Sequence, residues 1–526
     1  MQLPSKVAVL QACAALLSIV LCGQSLAQSS ALLDEQHIRK AALASFPELL
    51  ELLALPNDAQ MAGDDMVKNA QWLDTALKKR GFSVRTVSNN GRPILFAELT
   101  PDPVKKTVLF YFHFDGQPVI PAQWSQPNPW KPVLKQKAAN GSWTTIDMQL
   151  LLRQDFDAEH RIFARSASDD KGPIVMFLAA LDLMRAQGVL PAVNVKFILD
   201  SEEEINSPGL AEAIKQETVF LKADALIIQD GPAHPSGRPT IVFGNRGVQP
   251  LVLTVFGPKT PQHSGHYGNY LPNPAMNLAR LLSAMKDTKG RVTIPGYYSK
   301  VKLSEDDRRV LAASGDDEAA IRRRLGFAVS ERVGGNLQEA LQYPSLNIRG
   351  IAAGGVGQAG ANIIPRDAVA EIDIRTTVEA DGPYLAGLIQ QFVRKQGYLL
   401  VDNEPTDAQR AQHRLIARIS VGRQANAARQ PMSAPVRRWA ESALAAAHRG
   451  TAGNAQPVLL RSMGGTVPTH EIVSPLNIPF AMVSVVNSDN NQHAYDENLR
   501  MGNYVSGMRS MLCMLSTPYP AALESK

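Results

Sequence analysis

Three short apolar runs, at residues 108–112, 195–199 and 225–228, each stop on side chains that a buried strand would not carry for packing. Runs of this length, alternating with helical segments, read as strands of a largely buried sheet in an α/β domain. The first leads into His113, Phe114 and Asp115, and the second into the acidic stretch 200–204, with Glu202, Glu203 and Glu204. The third leads into Asp230, and a fourth run at 480–486 leads through a polar loop to His493. Ligands of open α/β sheets bind beyond the carboxyl ends of the strands, so four strands deliver His, acid, acid and His to one rim. A loop at 168–173, ahead of a helix expected at 173–185, adds Asp169 and Asp170.

Taken singly, each feature has an ordinary explanation. A histidine after a strand is usually a satisfied polar residue, a glutamate triplet a helix start favoured by the dipole, and Asp-Asp an N-cap. Their coincidence at successive strand ends is what points to a site. Imidazole and carboxylate without thiolate suit Zn²⁺ or Mn²⁺ in an open catalytic centre. Two such ions need a shared carboxylate and a water, and the water needs a base that is not itself a ligand. Adjacent glutamates with separate jobs are therefore expected.

At 526 residues the chain is long enough for two to four units. Its composition, 45% hydrophobic and 20% charged, is that of a soluble globular protein. The net charge of +5 is slight for this length, and Arg322, Arg323 and Arg324 follow acids in a helix-like segment. That run reads as a solvated helix face, and no nucleic-acid partner is expected. At the start, Lys6 precedes an apolar stretch at 7–21, and Ser25, Leu26 and Ala27 resemble a signal peptidase site. Cleavage after Ala27 would remove Cys13 and Cys22 and leave Cys513, excluding an intrachain disulfide and a cysteine-based zinc site. The mature protein is expected to be exported, periplasmic or secreted, without stable membrane association. After the leader at 1–27, a catalytic part is expected at 28–247, a smaller α+β insertion at 248–427 and the rest of the catalytic part at 428–526. Within the insertion the pattern predicts strands at 250–256, 368–375 and 398–401, a helix at 274–285 and a charged, loop-rich stretch at 299–345; a further helix is expected at 431–448.

Several stretches occur in a familiar order: HFDGQP from His113, SDDKGP from Ser168, the three glutamates, Asp230, GNRG from Gly244, HSGHYG from His263 and HAYDENL from His493. With them the chain resembles the dinuclear metallopeptidases that include carnosinase, cytosolic nonspecific dipeptidase, glutamate carboxypeptidase and aminoacylase, the carnosinase-like branch above all. The resemblance implies a phosphorylase/hydrolase-like α/β catalytic domain, a mixed sheet flanked by helices, with an inserted α+β lid and dimerisation domain. It implies that His113 and Asp230 hold one ion, Glu204 and His493 the other, and that Asp169 bridges them. Asp115 would orient the His113 imidazole, and Glu203 would be the general base. His263 would stabilise the oxyanion in a partner subunit's site, and Arg375, with Asn362 and Thr466, would hold the substrate's free carboxylate. The implied activity is hydrolysis of dipeptides or short peptides with a free C-terminus by a homodimer; N-acyl amino acids are the alternative substrates. Two departures bear on the rim: Ala164-Arg165-Ser166-Ala167, where relatives usually flank the arginine with glycines, and Ile205-Asn206-Ser207-Pro208, where they more often carry small, glycine-containing sequence. A rival reading takes Ser168-x-x-Lys171, Ser488-Asp489-Asn490 and His263-Ser264-Gly265 as penicillin-binding-protein motifs, but their order is wrong and the acids go unexplained. A non-catalytic peptide-binding protein would be expected to break the ligand set, and here every position is chemically intact.

Overall fold

The computed structural model describes residues 33–61, 63–89, 91–449 and 456–520. The expected leader, with Cys13 and Cys22, lies outside them. The chain packs as two units. The first runs up to Ile241 and includes Ser433–Val458 and the chain from Ile472; the second comprises Val242–Met432 and Leu459–Glu471. These borders differ from the expected 247/248 and 427/428. The larger difference is Leu459–Glu471, expected in the catalytic part. Backbone bonds draw it into the second unit, from Phe243 N to Leu460 O at 2.9 Å and from Met463 N to Gly244 O at 2.8 Å.

The first unit is built on a mixed sheet. Its strands run in the spatial order Phe82–Val87, Ile94–Leu99, Asn194–Asp200, Thr107–His113, Ala225–Ile228, Phe480–Ser484. Thr107–His113 pairs in parallel with both of its neighbours, and Ala225–Ile228 in parallel with Phe480–Ser484. Parallel strands are covered on both faces, which is why these runs are apolar throughout rather than alternating. Phe177 of the helix Lys171–Ala186 fixes one covering layer, its ring 4.7, 5.8 and 4.9 Å from Phe110, Phe112 and Phe197. Edge-on contacts of this kind contribute about 0.5–1.5 kcal/mol each beyond burial. The helix packs in turn against Glu35–Leu53 and Met501–Ser516. A second, antiparallel sheet orders Asn498–Arg500, Arg161–Phe163, Val133–Lys137 and Trp143–Ile146. It sets the residues before Asp169 beside those after His493.

In the second unit a five-stranded sheet orders Ser345–Ala352, Asp367–Thr376, Gly247–Phe256, Ile416–Val421 and Leu399–Leu400. Asp367–Thr376 alternates between buried and more open positions, as a sheet covered on one side requires. Its inner residues Ala370, Ile372 and Ile374 share a core with Leu278, Leu282 and Met285 of the helix Pro274–Met285 and with Leu385 and Ile389 of Gly382–Lys395. The charged stretch 299–345 contains three short helices, Glu305–Ala312 started by a capping box at Ser304, Glu318–Leu325 capped by Asp317 and Leu337–Ala340 capped by Asn336. Arg323 and Arg324 are exposed on the second of them.

Candidate metal centre

His113 is the last residue of its strand and is fully buried. Its Nδ1 lies 3.2 Å from Asp115 Oδ1 and its Nε2 2.9 Å from Asp169 Oδ1. Asp169 precedes the helix Lys171–Ala186 in a loop whose Asp169–Asp170 peptide is cis. The other oxygen of Asp169 faces away from His113, toward His493, whose Nε2 is 3.2 Å from it and 3.4 Å from Glu204 Oε2. Two groups result, His113–Asp169–Asp230 and Asp169–Glu204–His493, with the ligand atoms of each within 4.8 Å of one another. Asp169 belongs to both. Every donor is an imidazole nitrogen or a carboxylate oxygen, a set that fits Zn²⁺ or Mn²⁺.

The electrostatics also favour cations. Burial, reinforced by the charge of Asp169, pushes the Asp230 carboxyl up to about 6 and that of Glu204 up to about 8. Burial alone would raise Asp169 as well, but hydrogen bonds to His113 and His493 hold it well below the usual carboxylate range. Burial works against protonation of His493, yet its bond to Asp169 and the charge of Glu204 raise it to about 9. Among the described residues no lysine or arginine pairs with Asp169, Glu204 or Asp230. Acids gathered in a buried site where imidazoles are the facing basic groups, with no fixed cationic side chain among the described residues, suit a bound cation.

The three consecutive glutamates have three different surroundings. Glu202 turns away from the metal groups and accepts from Asn89 Nδ2 and the Gly209 amide, both at 2.7 Å. Glu204 takes Gln117 Nε2 at 2.6 Å, and its own amide donates to Asp115 Oδ2 at 3.0 Å. Asp115 thus holds both the His113 ring and the Glu204 backbone. Glu203 belongs to neither ligand group. Burial pushes its carboxyl well above the ordinary range, opposed by the charge of His113 and aided by those of Asp230 and Glu204.

The two departures from the resembled pattern have a backbone explanation. Ser166 sits at φ +62°, the left-handed region that favours glycine, and its hydroxyl accepts from Asn57 Nδ2 at 2.8 Å. Asn206 and Ser207 follow Glu204 at φ +64° and +42°, and the Ser207 hydroxyl donates to Asp200 at 2.6 Å.

Of the substrate residues expected in the insertion, the structure joins Arg375 to Thr466, with Nη1 to Oγ1 at 2.8 Å. Asn362 lies elsewhere in the second unit: its carbonyl accepts from the Ser264 amide, next to His263. His263 is exposed, and its Nδ1 accepts from the Gly265 amide at 3.0 Å. Arg246, in the GNRG stretch but given no role from sequence, is buried and donates to Ser345 Oγ at 2.8 Å, opposite Arg375 in the strand register. The serine-hydrolase rival loses its chemistry here. Lys171 is fully buried and donates to the carbonyls of Leu52 and Leu55, while the Ser168 hydroxyl donates to the Asn498 carbonyl. Glu497, also given no role from sequence, accepts the amides of Ser166, Ser168 and Asp169.

An α/β sheet that gathers two imidazole–carboxylate groups around one shared aspartate is the framework of a hydrolase working with two cations. Residues 109–517 match the model of peptidase family M20/M25/M40. The chain belongs to that family and is a metallopeptidase. It is 27% identical over 374 residues to the Cys-Gly metallodipeptidase dug1 of Schizosaccharomyces pombe, covering 69% of this chain and 73% of that one. It is 29% identical over 291 residues to human Beta-Ala-His dipeptidase, covering 54% of this chain and 52% of the relative. Among solved structures, the M20 family metallo-carboxypeptidase Sso-CP2 of Sulfolobus solfataricus superposes with a TM-score of 0.72 at 26% identity, over 90% of this chain and 98% of that chain.

Proposed function

We propose that the protein is an exported exopeptidase that hydrolyses dipeptides or short peptides bearing a free C-terminal carboxylate. The observation that carries this reading is Asp169, whose two oxygens face two separate ligand groups while Glu203 lies half-buried beside them in neither. His113 and Asp230 would hold one cation, Glu204 and His493 the other, and Asp169 both; Zn²⁺ and Mn²⁺ suit the donors equally. When bound, the pair supplies Lewis acidity to a water and to the scissile carbonyl. Glu203 takes the proton from the attacking water as the C–O bond forms, then delivers it to the amine nitrogen as the C–N bond breaks. A carboxyl that burial and neighbouring acids make more basic is suited to holding that proton between the two events. Asp115 keeps the His113 ring oriented by its bond to Nδ1. Arg375, braced by Thr466, pairs with the substrate carboxylate through its guanidinium fork. His263 donates to the developing oxyanion from a partner subunit, which makes the working enzyme a homodimer through the second unit. The relatives named as dipeptidases support peptides over N-acyl amino acids, and the apolar stretch at 7–21 ahead of Ala27 supports export.

Incubating purified enzyme with a panel of dipeptides, C-terminally amidated dipeptides and N-acyl amino acids tests this reading. Free-acid dipeptides should be cleaved, and a chelator should stop the reaction. Cleavage confined to N-acyl amino acids would replace the peptidase assignment with an amidohydrolase on the same scaffold.

A further inference from the structure

Glu497 is fully buried, and its carboxylate accepts four hydrogen bonds. One oxygen takes the amides of Ser168 and Asp169 at 2.9 and 3.0 Å; the other takes the Ser166 amide at 2.9 Å and Arg165 Nη1 at 2.8 Å. Arg165, 2% exposed, uses Nη2 to donate to the carbonyl of Ala494 at 3.0 Å. Ala494 directly follows His493. One buried ion pair therefore fixes both the loop that carries Asp169 and the loop that carries His493.

The two ligand groups depend on this pair unequally. His113 ends a strand, Asp230 follows the strand paired beside it, and Asp169 Oδ1 lies 2.9 Å from His113 Nε2, a hold on Asp169 separate from the His493 loop. Glu204 has its own supports in Asp115 and Gln117. Among the described residues His493 itself has no such support, and its loop is otherwise tied at Asn498 N to Asn490 O and at Ser125 to Asp496. It sits at φ +63° in a loop between the strands Phe480–Ser484 and Asn498–Arg500, with its side chain 55% exposed. Buried ion pairs contribute little net stability, because desolvation offsets their attraction, so the consequence of this one is geometric.

We infer that Arg165 and Glu497 are positioning residues for the cation site formed by Asp169, Glu204 and His493. They set the reach of His493 toward Asp169, and with it the affinity of that site, while the site of His113 and Asp230, which holds Asp169 through His113 as well, depends on them less. The inference rests on the two-cation reading above.

Titrating metal-stripped protein with Mn²⁺ and with Zn²⁺, in wild type, Arg165→Lys and Glu497→Gln, tests it without reference to turnover. Wild type should take two ions. Each variant should keep one ion near wild-type affinity and bind the second about 10–100-fold more weakly, the range for groups that orient ligands. Arg165→Lys keeps the charge and loses the two-pronged contact, so it carries the test if Glu497→Gln fails to fold. Equal weakening of both ions, or two ions at wild-type affinity in a variant with lowered thermal stability, would overturn the positioning role and leave a purely structural pair. Fewer than two ions in wild type would overturn the two-cation reading as well.

Discussion

Glu203 and Glu204 are neighbours in sequence with opposite proposed roles, base and ligand, which substitution separates. A base contributes to the transition state and not to the assembly of the site. Glu203→Gln should lower kcat by about 10²–10⁴-fold while the protein still binds two ions; Glu204→Gln should lose one of them. Elemental analysis of both variants beside their kinetics checks this, and equal metal loss in the two would contradict the assignment. Arg375 allows a second test at this scale. A lysine cannot reproduce the paired geometry of a guanidinium on a carboxylate. Amidating the substrate's C-terminus should cost about 2–4 kcal/mol in kcat/KM, as should Arg375→Lys on free-acid substrates. Together the two changes should cost little more than either alone, since both remove one interaction. Simple addition of the losses would show that Arg375 does not read the carboxylate. The candidate ligands were legible in sequence because each follows a recognisable strand or opens a helix. Glu497 was not. An acid whose partners are backbone amides brought in by another loop leaves no periodic trace, even inside a stretch as distinctive as HAYDENL.

The helix Lys171–Ala186 shows how an element constrains the site it borders. Its Gly172 presses on the Asp169 loop so closely that a Cβ would stand 2.1 Å from the Ala167 carbonyl oxygen and 2.8 Å from Leu499 Cδ2. Gly172→Ala must push backbone aside, so it should destabilise by about 1–3 kcal/mol, read from urea unfolding of the metal-loaded protein. Unchanged stability would mean that the loop gives way freely and does not hold Asp169 rigidly. The helix was expected at 173–185 and the central strands within a residue or two of where they lie, because long or wholly apolar segments carry a strong period. The antiparallel sheet that joins Arg161–Phe163 to Asn498–Arg500 had no such signal. Lys135 and Arg161 look like surface residues in sequence, yet both are buried there, with Lys135 over the ring of Phe163 and Arg161 over that of Trp143. Leu459–Glu471 was misplaced for a similar reason. Its allegiance is set by backbone bonds to residues 243–246, which a local pattern does not encode.

For the molecule as a whole, the acids and imidazoles of the site make stability depend on pH when cations are removed. Asp230 and Glu204, raised to about 6 and about 8, and His493, raised to about 9, all bind protons more tightly folded than unfolded. Each contributes stability that is complete below its unfolded value and is lost as pH rises through its folded value. Metal-stripped protein should therefore melt at progressively lower temperature from about pH 5 to about pH 9, and the rise in Tm on adding Zn²⁺ should grow over the same span. A Tm in chelator that stays flat across that range would contradict the reading. Assembly has its own test. If His263 acts across a homodimer as proposed, mixing inactive His263→Ala with inactive Glu203→Gln chains should restore part of the activity, because a mixed dimer would rebuild one complete site. No recovery from demonstrably mixed dimers would place His263 in its own subunit's site or outside catalysis. One shared aspartate is proposed to organise two cations for amide hydrolysis, and metal content measured alongside activity puts that to the test. The purified chain should carry about two divalent ions, lose dipeptide hydrolysis on exhaustive chelation and regain it with Zn²⁺ or Mn²⁺; one tightly bound ion at full activity, or hydrolysis that survives chelation, would contradict this.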